Sequence, residues 1–109
     1  MNSNINFLKT IADKNRLLIL YILNDHTLCV CDIQKVISLT QGALSIQLKN
    51  LTQANLLSSF KQGKWVFYTL SSGITPTHKD ILNSLFSEMA NDKEIINLIA
   101  ELKITQTCN

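Results

Sequence analysis

Apolar residues recur at helical spacing along most of this chain. Ile5, Leu8, Ile11 and Ala12 repeat at three and four and predict a short amphipathic first helix. Asp13 is placed to cap a second helix with a nearly continuous buried stripe of Leu17, Ile19, Leu20, Ile22 and Leu23. The polar run Asn24-Asp25-His26 ends it. A third helix runs through Ile33, Val36 and Ile37, with Asp32 in its first turn, where a negative charge suits the helix dipole. After the break at Ser38-Leu39-Thr40, Thr40 caps a fourth helix whose inner stripe is Leu44, Leu48 and Leu51. Two helices joined by so few residues read as a helix-turn-helix.

The period then changes to two. Leu57 to Phe60 and Trp65 to Leu70 read as strands, joined by Lys61-Gln62-Gly63-Lys64, in which Gly63 suits a turn position with positive φ. A hairpin directly after a helix-turn-helix is a wing. Thr75-Pro76 starts a fifth helix with an apolar face of Ile81, Leu82, Leu85, Phe86 and Met89. Asn91-Asp92 interrupts and recaps, and Ile95, Ile96, Leu98, Ile99 and Leu102 line a last helix. The expected architecture is mainly α: five to six helices and one β-hairpin wing in a single domain, residues 1–109, with the recognition helix at about 40–53, the wing at about 57–70 and C-terminal helices at about 76–104. The apolar faces at the two chain ends exceed what one small core hides, so a homodimer through the terminal helices is expected.

Composition narrows the class. At 109 residues, 46% hydrophobic and 17% charged, the chain has too much apolar character for disorder. No apolar run approaches the roughly 20 residues of a membrane helix. The start Met1-Asn2-Ser3-Asn4 lacks the features of a secretory signal, so the cytoplasm is the expected compartment and no membrane partner is expected. Three cysteines are too few for a disulfide scaffold and read as thiols, metal ligands or redox sensors.

The net charge of +2 is unevenly spread. Residues 1–74 carry seven basic and three acidic side chains, residues 75–109 three basic and five acidic. No carboxylate falls between Asp32 and Asp80, a stretch that holds Lys35, Lys49, Lys61, Lys64 and Lys79. Such a face meets polyanions.

Four blocks, in order, carry a resemblance: Ile11-Ala12-Asp13 with Arg16; Leu28-Cys29-Val30-Cys31-Asp32-Ile33; Leu39-Thr40-Gln41 with Leu44, Ser45 and Leu48; and Gln62-Gly63-Lys64-Trp65-Val66-Phe67-Tyr68-Thr69-Leu70. Over roughly residues 5–72 the chain resembles the ArsR/SmtB family. The resemblance implies a small dimeric winged-helix repressor that releases operator DNA when a metal, metalloid or thiol modifier binds. The Cys-Val-Cys block resembles the arsenic(III)- and antimony(III)-responsive members, which makes one of these, or another soft metal, the implied inducer, with no organic cofactor.

On that fold the recognition helix presents Thr40, Gln41, Ala43, Ser45 and Gln47 to the major groove, where Gln pairs with adenine and Ser or Thr with several base edges. Arg16, Lys35, Lys49, Lys61 and Lys64 are the phosphate candidates. Two copies would read a pseudo-palindromic operator. The chain departs from the family pattern at Ile46 and Gln47, where a basic residue or His is common, and at Gly42, which lowers helix stability.

Cys29 and Cys31 would stand roughly 200° apart on a regular helix, too far round to share an ion. At a helix start, where internal bonds are few, they can converge, and capture of an ion would distort the turn that supports the recognition helix. Arsenic(III) favours three thiolates. The position that supplies the third in some family members is Gln34 here, which leaves Cys108 at the C-terminal end as the remaining thiol. The alternatives are a redox or persulfide switch joining Cys29 or Cys31 to Cys108, since a disulfide between residues two apart is strained, and a winged-helix protein-interaction module without operator binding. Zinc finds weaker support: His78 with Asp80 is a fragment of a site, His78 reads as a solvated first-turn residue and His26 as exposed. Nothing resembles a phosphate loop or a catalytic triad, so an enzyme is not expected.

Overall fold

The computed structural model describes residues 2–104, with side chains through residue 100. These form α1 (Asn2–Ile11), α2 (Lys14–Asp25), β1 (Leu28–Cys29), α3 (Val30–Val36), α4 (Gln41–Gln53), β2 (Leu57–Gln62), β3 (Trp65–Leu70), α5 (Pro76–Met89) and α6 (Lys93–Ile104).

Four of the helices, α2, α4, α5 and α6, begin where a short polar side chain can satisfy the free N–H groups of the first turn. Asp13 Oδ2 accepts from the Arg16 N–H at 2.9 Å. Thr40 Oγ1 accepts from Ala43 N–H at 3.2 Å, and Thr75 Oγ1 from His78 N–H at 3.4 Å, with Pro76 in the first turn of α5. Asp92 Oδ1 accepts from Glu94 N–H at 2.9 Å and restarts the chain as α6. α3 is the exception. Its cap position is Cys29, which makes no side-chain cap bond, so this helix starts less tightly held than those four.

The core is built from the predicted stripes, except that on α2 Leu18 is buried where Leu17 was expected and Leu17 is half-buried. Ile19, Leu20, Ile22 and Leu23 of α2 are buried, as are Ile33 and Val36 of α3. Leu44, Leu48 and Leu51 of α4 are each 0% exposed. Burial of a side chain of this size is worth about 1.5–3 kcal/mol, so this stripe anchors α4 firmly and leaves its other face outward. From α5, Leu82 and Phe86 complete the core.

Four further expectations change. First, the wing is not a bare hairpin. β1 adds a third antiparallel strand in the order β1-β3-β2, with Leu28 opposite Tyr68 and Cys29 opposite Phe67. A two-residue strand is too short to show an alternation in the sequence. Second, α1 turns a different face inward. Phe7 and Ile11 are buried one turn apart, while Ile5 and Leu8 are 43% and 46% exposed and Ala12 is exposed. Third, His78 is buried rather than solvated, and it explains the choice of face on α1. Its ring stacks on Phe7 at 4.0 Å between centroids and 3° between planes. Its Nε2 lies 2.8 Å from Asn4 Oδ1. Fourth, His26 is half-buried rather than exposed.

The wing hairpin forms where expected, but Lys61 and Gln62, read from the sequence as part of the turn, are paired strand residues and leave only Gly63 and Lys64 between the strands. β2 and β3 pair from Leu57–Leu70 to Gln62–Trp65, and Gly63 turns the chain at φ 64°. A second left-handed residue, Asn55 at φ 61°, follows α4. No helix among the described residues is long and apolar enough to cross a membrane.

Candidate metal centre and nucleic-acid interface

The two neighbouring cysteines converge because the chain changes conformation between them. Cys29 is the last residue of β1, extended at φ −82°, ψ 166°, and Cys31 is already in the first turn of α3. The strand-to-helix bend turns both side chains to one side, and Cys29 Sγ and Cys31 Sγ lie 2.7 Å apart. The two sulfurs are each other's partners, as a thiol pair or a disulfide, and neither described cysteine is free. Cys108 lies outside the described residues, as does the side chain of Leu102.

The third group here is one that the spacing of cysteines alone does not reveal. Asp32, 4% exposed, places a carboxylate oxygen so that it and the two sulfurs all lie within 4.8 Å of one another. Lys35 Nζ stands 3.4 Å from Asp32 Oδ1 and offsets its charge. Asp32 directly follows Cys31 in the sequence, which was the available signal; its place in the first helical turn accounts equally well for a carboxylate there.

The cysteine pair opens on a groove of about 330 Å³ lined by Cys29, Cys31, Gln34, Gln41, Lys64 and Trp65, among others. The two cysteines, the first residue of α4 and the wing turn therefore share one surface depression. A larger cavity of about 470 Å³ lies between α1 and the loop before α5, but its lining includes neither a cysteine nor a carboxylate.

The outward face of α4 carries the expected polar residues. Thr40, Gln41, Ser45 and Lys49 are exposed, and Ala43 is half-buried. Ile46 is 61% exposed on the same helix. Lys61 and Lys64 are exposed on the wing, with Lys64 Nζ 5.2 Å from the Trp65 ring centroid. Two candidates have partners within the chain. Arg16 Nη1 donates to Gln47 Oε1 at 3.0 Å, and Arg16 Nε donates to the Thr10 carbonyl at 2.6 Å. Lys35, also exposed, has its Nζ 3.4 Å from Asp32 Oδ1.

A helix-turn-helix followed by a hairpin wing, with polar side chains along the outer face of its second helix, defines a winged helix-turn-helix regulator. Residues 13–59 match the family described as bacterial regulatory protein, arsR family. The chain is 37% identical over 81 residues to the arsenical resistance operon repressor of Bacillus subtilis, covering 73% of this chain and 70% of that protein. It is 36% identical over 67 residues to the cadmium resistance transcriptional regulatory protein CadC of Listeria innocua, covering 61% of this chain and 56% of the relative. Among solved structures, HlyU from Vibrio cholerae superposes with a TM-score of 0.69 at 33% identity, over 77% of this chain and 88% of HlyU. The chain belongs to the arsR family of bacterial regulatory proteins. Its relatives are transcriptional regulators, not enzymes.

Proposed function

We propose that this protein is a cytoplasmic homodimeric repressor that releases a pseudo-palindromic operator when a soft metal or metalloid, arsenic(III) or antimony(III) foremost, is captured by Cys29 and Cys31. The observation that carries the reading is the meeting of the two sulfurs, 2.7 Å apart, at the bend between β1 and α3. Thiolates are the donors that soft ions select. An ion between them pushes the sulfurs apart. One sulfur rides on the edge strand of the wing sheet and the other on the helix that precedes the recognition helix. Separating them therefore changes the angle between wing and α4, the two elements that must fit one DNA face together.

Gln41, Ser45 and Thr40 are the base-reading candidates, with Ala43 beside them and Gln47 held by Arg16. Lys49, Lys61 and Lys64 are placed for phosphates, which supply most of the salt-dependent affinity. Cys108 is the candidate third thiolate for arsenic(III). The exposed apolar residues Ile5 and Leu8 on α1 and Ile96 on α6 support a second copy of the chain as the cover for the terminal helices. The names of the arsenical and cadmium relatives agree with a thiophilic inducer.

The test is fluorescence anisotropy of the reduced protein on the genomic segment upstream of its gene. Tight binding that weakens with rising salt and is reversed by arsenite, antimonite or cadmium supports the reading. A complex indifferent to all of them sinks it. The proximity of the two sulfurs also favours a second reading, a thiol-oxidation switch within the Cys29–Cys31 pair; release by peroxide alone, and not by metals, would select it.

A further inference from the structure

Two residues on the outer face of α4, Gly42 and Ile46, are not explained by the packing of the subunit. Ile46 is 61% exposed near the middle of the helix, on the side opposite the buried line of Leu44, Leu48 and Leu51. A β-branched side chain there neither favours the helix nor packs on the core. Gly42 lies one turn earlier on the same face. Its backbone is ordinary helix without a positive φ, and a Cβ added to it would meet nothing within 4 Å beyond its own stretch of helix backbone. Neither backbone strain nor crowding inside the subunit therefore requires glycine, which costs helix stability relative to alanine.

A single exposed apolar residue is common on protein surfaces. This one stands next to a gap in the row of side chains, with Gln41, Ser45 and Lys49 exposed around it. α4 carries no carboxylate, and Lys61 and Lys64 on the wing are exposed as well. Such a setting suits a polyanion that presents an apolar group, rather than an apolar protein face. Among the base edges of the major groove, the apolar group is the C5-methyl of thymine.

We infer that Ile46 is a specificity-determining residue that packs on the C5-methyl of a thymine in each operator half-site, and that Gly42 lets the backbone of α4 come close enough to the bases for that contact. This rests on the proposed seating of α4 in the major groove. The side chain of Ile46 leaves water favourably only against another apolar surface. Thymine offers one, and cytosine, with no methyl at C5 and an amino group beside it, does not. Ile46 thus adds an apolar reading to the hydrogen-bonding one of Gln41 and Ser45.

The experiment measures operator affinity of the reduced full-length protein by fluorescence anisotropy. Each thymine inside the footprint is replaced in turn by deoxyuridine, which removes the methyl and keeps the hydrogen-bonding edges. Wild type, Ile46→Ala and Gly42→Ala are compared, with helical content checked by circular dichroism. Wild type is expected to lose about fourfold at one thymine per half-site, the value for burial of one methyl. Ile46→Ala is expected to bind the thymine and deoxyuridine duplexes equally at that position, with the wild-type salt slope. Gly42→Ala is expected to raise the urea midpoint while lowering operator affinity, a combination that a purely structural glycine would not give. Unchanged operator affinity in Gly42→Ala overturns the part given to the glycine. An Ile46→Ala protein with the wild-type response to deoxyuridine, or a wild type indifferent to deoxyuridine at every thymine, overturns the assignment while the repressor reading stands. If Ile46→Ala changes the sedimentation of the free protein and leaves DNA binding as it was, Ile46 is a contact between chains and the assignment is overturned. A wild type that binds no duplex at any salt concentration fails the repressor reading, and this inference with it.

Discussion

Arg16 reaches from α2 to the recognition helix and donates to Gln47 Oε1 at 3.0 Å, while its Nε holds the Thr10 carbonyl at the end of α1 at 2.6 Å. One side chain thus ties α1, α2 and α4 together. A charged group in two hydrogen bonds contributes more than a neutral one.

Arg16→Ala should therefore act mainly on the scaffold. The expected loss is about 1.5–3 kcal/mol of stability, read as a lower urea midpoint. Operator affinity should fall with no change in its salt dependence. A direct phosphate contact by Arg16 would instead lower the salt slope by about one while leaving stability intact.

The wing and the recognition helix should separate in their effects. Lys64→Ala is expected to weaken binding to all DNA sequences alike and to lower the salt slope by about one. Gln41→Ala should change base preference, costing about 1–3 kcal/mol at the matched step and little elsewhere. Anisotropy on operator and scrambled duplexes at several salt concentrations checks both. Full affinity for Lys64→Ala at every salt level would contradict the wing assignment, and binding with no salt dependence in the wild type would favour a protein-interaction module.

The exposed residues Ile5 and Leu8 lie one turn apart on α1. Ile5→Lys/Leu8→Lys should dissociate the dimer at micromolar concentration in sedimentation experiments, with the buried pair Phe7 and Ile11 keeping the subunit folded. Operator affinity should fall by more than about tenfold, because two linked half-site readers hold DNA far better than one. A variant that remains dimeric would move the interface away from α1.

The parts of the fold that repeat were legible in the sequence. The Leu44, Leu48 and Leu51 stripe, the caps at Asp13, Thr40 and Thr75, and the turn at Gly63 each follow from local rules that the structure obeys. What was hidden depends on contacts between distant residues. Leu28 and Cys29 become a strand only because Tyr68 and Phe67 lie alongside. Phe7 faces inward, and Ile5 does not, because His78 supplies a ring to stack on from 71 positions away. At the site, the helix-start argument foresaw that Cys29 and Cys31 could converge. It did not foresee Asp32 beside them, because the first-turn position already explains a carboxylate by its interaction with the helix dipole.

The central claim is that capture at this bend, and nothing else, releases the DNA. Operator affinity of Cys29→Ser/Cys31→Ser, measured by anisotropy with and without arsenite or cadmium, tests it most directly. The account predicts wild-type affinity in the absence of inducer and the same affinity in its presence. Release of the variant from DNA at the inducer concentrations that free the wild type would contradict it.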